Sequence, residues 1–344
     1  MSARADSTPA APKARPLLEV RDLQLTVGAG EAAFEPVGGA ALEARRGEVV
    51  GVVGESGSGK SLTLRAIAGL LPSGVELAGG EVLVDGIDVA KASPAELRVV
   101  HGKKVGIVFQ EPSSALNPTM RIGAQIAEAA RAHNALSRAE AKARAIELLE
   151  RMGFTEPERR YRLFPHELSG GMRQRVMIAI ALAGEPSLLL CDEPTTALDA
   201  TVTMRVLELL LGLASDLDIA VVLVTHDLGV AARLCDRIVV MYAGRMVEEG
   251  PAEEVLRRPR HGYTLALLRA VPTRETSIAD LRAIPGSPPE TGESFEGCPF
   301  ASRCAYATAD CGEPLQQIRI GSDRVTTCVR EGLFAEMAGE AKDG

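Results

Sequence analysis

Gly54-Glu55-Ser56-Gly57-Ser58-Gly59-Lys60-Ser61 has the residue types and spacing of a loop that holds phosphates. Its glycines leave backbone N–H groups free to form a nest around an anion. Lys60 is placed to reach β- and γ-phosphates, the Ser61 hydroxyl to ligate Mg²⁺, and Leu62 opens the helical run that follows. Asp192-Glu193 sets two adjacent carboxylates at the exit of an apolar run. Such a pair is costly at a buried strand end unless it has work. Asp192 suits Mg²⁺, directly or through water, and Glu193 suits the base that polarises an attacking water. Leu168-Ser169-Gly170-Gly171-Met172 is a second glycine turn before a helical run. Its two glycines would let backbone N–H groups approach a phosphate at a helix's positive end. Without a ligand it would be a Gly-rich helix cap. The chemistry these groups could do together is phosphoryl transfer to water, which needs positioning and charge neutralisation.

Apolar runs must position those groups. Glu48 to Val53 reads as a buried strand entering the phosphate loop, with a helical pattern from Leu62 to Leu71 behind it. Val105–Phe109, Leu188–Cys191 and Ile219–Val224 read as three more core strands. They end in Gln110, in Asp192-Glu193 and in Thr225-His226-Asp227. By themselves, Gln110 is a solvated strand end and His226 a structural histidine. Leu17 to Glu48 and Gly80 to Val89 alternate like strands of a small antiparallel sheet. Ser93-Pro94-Ala95-Glu96 and Ser137-x-x-Glu140 are helix starts, the latter within an Ala- and Glu-rich helical stretch from Gly123 to Met152. Ile238 to Glu248 reads as a hairpin around Ala243-Gly244.

In this order, the phosphate loop, the Ser-Gly-Gly turn and the Asp-Glu pair resemble the ATP-binding cassette (ABC) family. The resemblance implies an α/β fold: an ABC-type P-loop NTPase with a RecA-like parallel core, an antiparallel β subdomain and a helical signature subdomain. It implies that Gln110 reaches Mg²⁺ and the attacking water, with the loop Glu111–Pro118 touching a membrane partner. It implies that His226 contacts the γ-phosphate. Leu168 to Met172, with Asp199, would cap the ATP held by a second copy, so two ATPase chains would sandwich two ATP molecules. Relatives place an aromatic residue ahead of the loop to stack on adenine. Here that stretch offers only Val27, with Phe34 the nearest aromatic alternative.

The chain has 344 residues and a net charge of −8, which argues against a nucleic-acid partner. No apolar run reaches the length of a membrane span and none resembles a signal peptide. Residues 1–16 read as a disordered tail, 17–260 as the nucleotide-binding domain and 261–344 as an extension. The extension carries His261-Gly262-Tyr263-Thr264, a Pro-rich linker at 284–289, and Cys298, Cys304, Cys311 and Cys328. It resembles the C-terminal extension of the dipeptide/oligopeptide importer ATPases, which typically have Pro where Gly262 stands.

That resemblance implies a small Cys-rich lobe with a [4Fe–4S] cluster. The residues themselves leave unliganded thiols and zinc open, while a reducing compartment disfavours disulfides. It also implies two membrane-spanning permease subunits, an extracytoplasmic solute-binding protein, and a place on the cytoplasmic face of the membrane. Nickel, glycoside or opine importers share the extension and are the alternative. A soluble repair or translation ATPase would need a long coiled-coil insertion or a second cassette, and neither appears.

Overall fold

The computed structural model describes residues 15–28, 30, 33–194, 200–271, 283–290, 292–293 and 295–340. Twelve strands are formed among them: β1 Leu18–Val27, β2 Phe34–Ala44, β3 Val49–Val53, β4 Val75–Val84, β5 Ile87–Asp88, β6 Val105–Val108, β7 Leu188–Asp192, β8 Ala220–Thr225, β9 Arg237–Tyr242, β10 Arg245–Pro251, β11 Ile318–Ile320 and β12 Arg324–Thr326. The apolar runs pair in parallel, β6 with β7, β7 with β8, β8 with β3 and β3 with β9. Every residue of β7 and β8 is buried, as strands covered on both faces require. Their side chains alternate between two cores. Leu189, Cys191, Val221 and Leu223 face one, and Leu188, Leu190, Val222 and Val224 the other. The first core takes the helices Ile122–His133, Arg138–Arg151, Gly170–Leu182 and Ala200–Asp216. The second takes the helix Lys60–Ile67 and the antiparallel sheet β2-β1-β4-β5.

Local chemistry sets the boundaries. Ser93 and Ser137 each complete a capping box with the Glu three residues on. The helix after the phosphate loop starts at Lys60 and stops at Ile67, short of the expected Leu71, because Gly69 turns into the left-handed region. β6 ends one residue early and leaves Phe109 42% exposed.

The larger difference lies in the extension, which the sequence placed in a separate lobe. β11 and β12 form a hairpin that adds to β10, extending the central sheet to eight strands in the order β11-β12-β10-β9-β3-β8-β7-β6. Tyr263 and Phe300 pack in one core with Val53, Val240 and Tyr242 of the cassette. The Tyr242, Tyr263 and Phe300 ring centroids lie 4.5 to 5.2 Å apart. Each such aromatic pair contributes about 1 kcal/mol beyond its buried area. Most of the expected tail, residues 1–14, lies outside the described residues.

The hairpin is tied in by a buried ion pair. Arg324 Nη2 donates to Glu248 Oε1 at 2.5 Å and also to the Arg258 carbonyl, and the Arg260 N–H donates to the same carboxylate oxygen at 2.8 Å. Glu248 has no exposed surface, so burial raises its pKa and Arg324 opposes the rise. Removing one partner of such a pair leaves a buried charge uncompensated. Arg324→Met is therefore expected to lower the urea unfolding midpoint by the equivalent of about 3 kcal/mol. An unchanged midpoint would show that Glu248 does not depend on Arg324.

Candidate nucleotide site

The phosphate loop leaves β3 beside β9, its neighbour in the sheet. A Cβ on Gly54 would come 2.1 Å from the Met241 carbonyl oxygen, so only glycine fits there. Lys60 is 5% exposed, and its ammonium is held by the loop itself. Nζ donates to the carbonyls of Gly54 at 2.8 Å and Glu55 at 2.7 Å, and to Ser58 Oγ at 3.3 Å. Burial lowers its pKa, while Glu193, Asp192 and Glu55 favour the charged form. An ammonium so placed attracts a phosphate oxygen strongly, because little water competes.

The Asp-Glu pair arrives from the end of β7. Ser61 Oγ donates to Asp192 Oδ1 at 2.7 Å, which puts the two candidate Mg²⁺ ligands side by side. Glu193 follows with φ +42°, a left-handed conformation costing a non-glycine residue about 1–2 kcal/mol. Its N–H donates to the Val224 carbonyl at 3.1 Å, and its Oε2 lies 3.1 Å from His226 Nδ1. Strain of this kind persists where the surroundings over-determine it, commonly at functional sites. Here the β8 backbone and His226 both fix Glu193.

These groups border one cleft of about 640 Å³, of the size small-molecule sites have. Glu55 to Leu62, Gln110 and Glu193 line it. Gly54 lies behind the loop, and Asp192 and His226 stand one contact back, through Ser61 and Glu193. Leu168 to Met172 do not line the cleft. Ser169 caps the helix Gly170–Leu182, its Oγ accepting the Met172 N–H at 3.4 Å. Asp199 lies outside the described residues.

Val27 does not line the cleft; in the antiparallel sheet it is paired with Phe34 and Val75. Phe34 lines the cleft instead. Sequence reasoning missed Tyr242, Pro288, Pro289 and Phe295, which also line it. The last three lie in the extension, far from the phosphate loop in sequence, and no local pattern signals that they return.

The four cysteines are all unpaired. Burial pushes the Cys298 thiol up to about 12 and Cys328 up to about 11, and neighbouring thiols add to both shifts. His261 is buried and its pKa is pushed down to about 3, so the ring is neutral. Its Nδ1 accepts the Tyr263 N–H at 3.0 Å, which leaves the proton on Nε2, 3.7 Å from Cys298 Sγ. A Cβ on Gly262 would come 2.8 Å from Cys304 Sγ, so the sulfur fills the space that the departure from Pro opens.

The arrangement as it stands does not meet the expectation of a metal cluster. Among the described residues, no group of three or more His, Cys, Asp or Glu is placed to hold a metal ion. Cys298 lies against His261 and Cys304 against Gly262 instead.

Residues 37–196 match the family described as ABC transporter, and residues 247–311 match the oligopeptide/dipeptide transporter C-terminal region. The oligopeptide transport ATP-binding protein OppD of Bacillus subtilis is 46% identical over 85% of this chain and 82% of its own length. This chain belongs to the ABC transporter family. Within it, the chain is an ATP-binding subunit of the oligopeptide/dipeptide type, and ABC-type ATPases share its cassette fold. The OppD of Salmonella typhimurium is 40% identical over 96% of this chain and 98% of its own. A dimeric ATP-binding cassette solved in a post-hydrolysis state with ADP and Pi is 32% identical. It has a TM-score of 0.60 and covers 68% of this chain and 98% of its own.

Placement of the aromatic rings gives a direct test. Phe34→Ala is expected to weaken ADP binding about tenfold, the scale of one lost base-stacking contact, whereas Val27→Ala leaves it within about twofold. Isothermal titration of both variants measures this. Equal losses would return Val27 to the base site.

Proposed function

We propose that this chain is the ATP-hydrolysing subunit of a binding-protein-dependent importer for di- or oligopeptides. The observation that carries the reading is the convergence on one cleft of the Lys60 loop, the Ser61–Asp192 pair and the Glu193–His226 pair. Peptide as the solute is supported by relatives named as oligopeptide and dipeptide transport ATP-binding proteins, and by the C-terminal region matched at 247–311.

In this reading the loop N–H groups and Lys60 receive the β- and γ-phosphates. Ser61 and Asp192 would hold Mg²⁺ with Gln110 beside them, and the ion when bound neutralises charge on the phosphate oxygens. Glu193 accepts a proton from the water that attacks the γ-phosphorus. The bond to the bridging oxygen breaks, and ADP and phosphate leave. His226 keeps the Glu193 carboxylate oriented at 3.1 Å.

Leu168 to Met172 and Asp199 would cap ATP on a second ATPase chain, identical or paralogous, because the turn does not line its own cleft. The Glu111–Pro118 loop would dock two permease subunits, with a solute-binding protein acting from outside. Among the described residues no helix is long and apolar enough to cross a membrane. We place the chain at the cytoplasmic face, with 17–260 as the nucleotide-binding domain and 261–344 as the extension.

For the four cysteines we retain the iron–sulfur reading, which rests on the likeness of the 247–311 region to the oligopeptide/dipeptide transporter C-terminal region. Iron, acid-labile sulfide and zinc assays on anaerobically purified protein test it. Zinc, or no metal at all, would remove the cluster.

Glu193→Gln is expected to cut ATP turnover by roughly 10²–10⁴-fold, the usual contribution of a general base, while ATP binding survives. Size-exclusion chromatography with light scattering should then show an ATP-bound dimer. In cells, the same variant should stop uptake of a labelled tripeptide. Surviving turnover would assign the base elsewhere. Unchanged peptide uptake would remove the importer reading.

A further inference from the structure

Arg303 lies 248 residues beyond Glu55 in sequence, yet its guanidinium closes on the phosphate loop. It sits in the short turn Ala301–Arg303 of the extension and is 8% exposed. Nη1 donates to Glu55 Oε2 at 2.7 Å and Nη2 to Glu55 Oε1 at 3.2 Å, a bidentate pair. Nη1 also donates to the Tyr242 hydroxyl at 3.0 Å, and Nε to the Pro285 carbonyl at 2.8 Å. The guanidinium carbon stands 5.8 Å from the centroids of the Tyr242 and Phe300 rings. Burial works against the charge of Arg303, and the bonds to Glu55 and Tyr242 outweigh it.

A second contact reaches the same loop residue from the same extension. The fully buried Tyr263 accepts the Glu55 N–H on its hydroxyl at 2.8 Å. The third polar group of Glu55, its carbonyl, accepts from Lys60 Nζ at 2.7 Å. Every polar group of Glu55 is thus engaged, two of them by the extension and one by the loop lysine. The neighbouring Gly54 and Gly57 both have positive φ, so this stretch of loop has much freedom to lose. Ordering a backbone residue costs conformational entropy. A loop ordered before the nucleotide arrives does not draw that cost from binding.

We infer that Arg303 is a positioning residue for the nucleotide: its bidentate pair with Glu55, joined by Tyr263 on the Glu55 amide, holds the phosphate loop in the shape that receives the β- and γ-phosphates. The inference rests on the ATPase reading and deepens it, because it makes the C-terminal extension part of the nucleotide site. Pro288, Pro289 and Phe295 of the same extension line the cleft. Arg303 stands between Cys298 and Cys304, so whatever holds those thiols also sets the place of the guanidinium.

The test uses the full chain with Arg303→Met, Arg303→Lys, Glu55→Gln and the Arg303→Met/Glu55→Gln double variant. ATP and ADP affinity are read by isothermal titration, and KM and kcat by steady-state hydrolysis. Arg303→Met is expected to raise both Kd values and KM about tenfold, with kcat within about twofold. Arg303→Lys should recover part of the loss, since an ammonium serves one Glu55 oxygen but not both. The double variant should bind no worse than the weaker single variant, because both remove one interaction.

An unchanged Kd in Arg303→Met, even with a lower melting temperature, would make Arg303 an anchor of the extension only and overturn the inference. Additive losses, or a fall in kcat at constant KM, would overturn it as well. If Arg303→Met does not fold, Arg303→Lys and Glu55→Gln decide, and unchanged affinity in both overturns it. Wild-type protein that binds no ATP, or hydrolysis that survives Lys60→Ala, would instead sink the ATPase reading itself.

Discussion

The Lys60 ammonium, 5% exposed, is the charge around which this site is built. Taking it out of water is unfavourable unless oxygens surround it. The loop supplies two carbonyls and a hydroxyl, and Glu193, Asp192 and Glu55 supply negative charge nearby. Parallel pairing brings the groups around it to one end of the sheet. β3 brings the loop, β7 brings Asp192 and Glu193, and β8 ends at Thr225, before His226, all at the same edge. Open parallel sheets gather ligand sites at the carboxyl ends of their strands.

Glu193 lies near Lys60, and its backbone is strained at φ +42°. The hydrogen bond to the Val224 carbonyl and the contact with His226 keep it there. Packing beneath makes this possible, since Cys191 and Leu223 face one core while Leu190 and Val224 face the other. A strand end gripped from both faces leaves its last carboxylates little room to move.

The extension is tied to the cassette in three ways. β12 pairs with β10, Arg324 neutralises Glu248, and Tyr263 with Phe300 packs against Tyr242. Arg303 and Tyr263 then reach the phosphate loop from that base. The cysteines occupy the same region, with Cys298 against His261 and Cys304 against Gly262, so thiol chemistry and loop geometry share one scaffold.

The sequence by itself determined the local elements and the chemistry of the loop. The strand at 49–53, the capping boxes at Ser93 and Ser137, and the phosphate loop depend on residues close in sequence, where periodicity and residue type act directly. It also placed Gln110, Asp192, Glu193 and His226 at strand ends, since a polar residue closing an apolar run is a local signal. Only tertiary structure decided what depends on distant pairing. The hairpin of β11 and β12 has three residues in each strand, too few for a pattern, and forms because β10 offers an edge. Phe34 rather than Val27 borders the cleft although the two are register partners in the small sheet, so the folded arrangement and not the local sequence selects between them. Arg303 meets Glu55 across 248 residues, and nothing near either residue marks the partner. Such contacts come from the folded sheet and core, which bring together side chains that local propensity treats as independent.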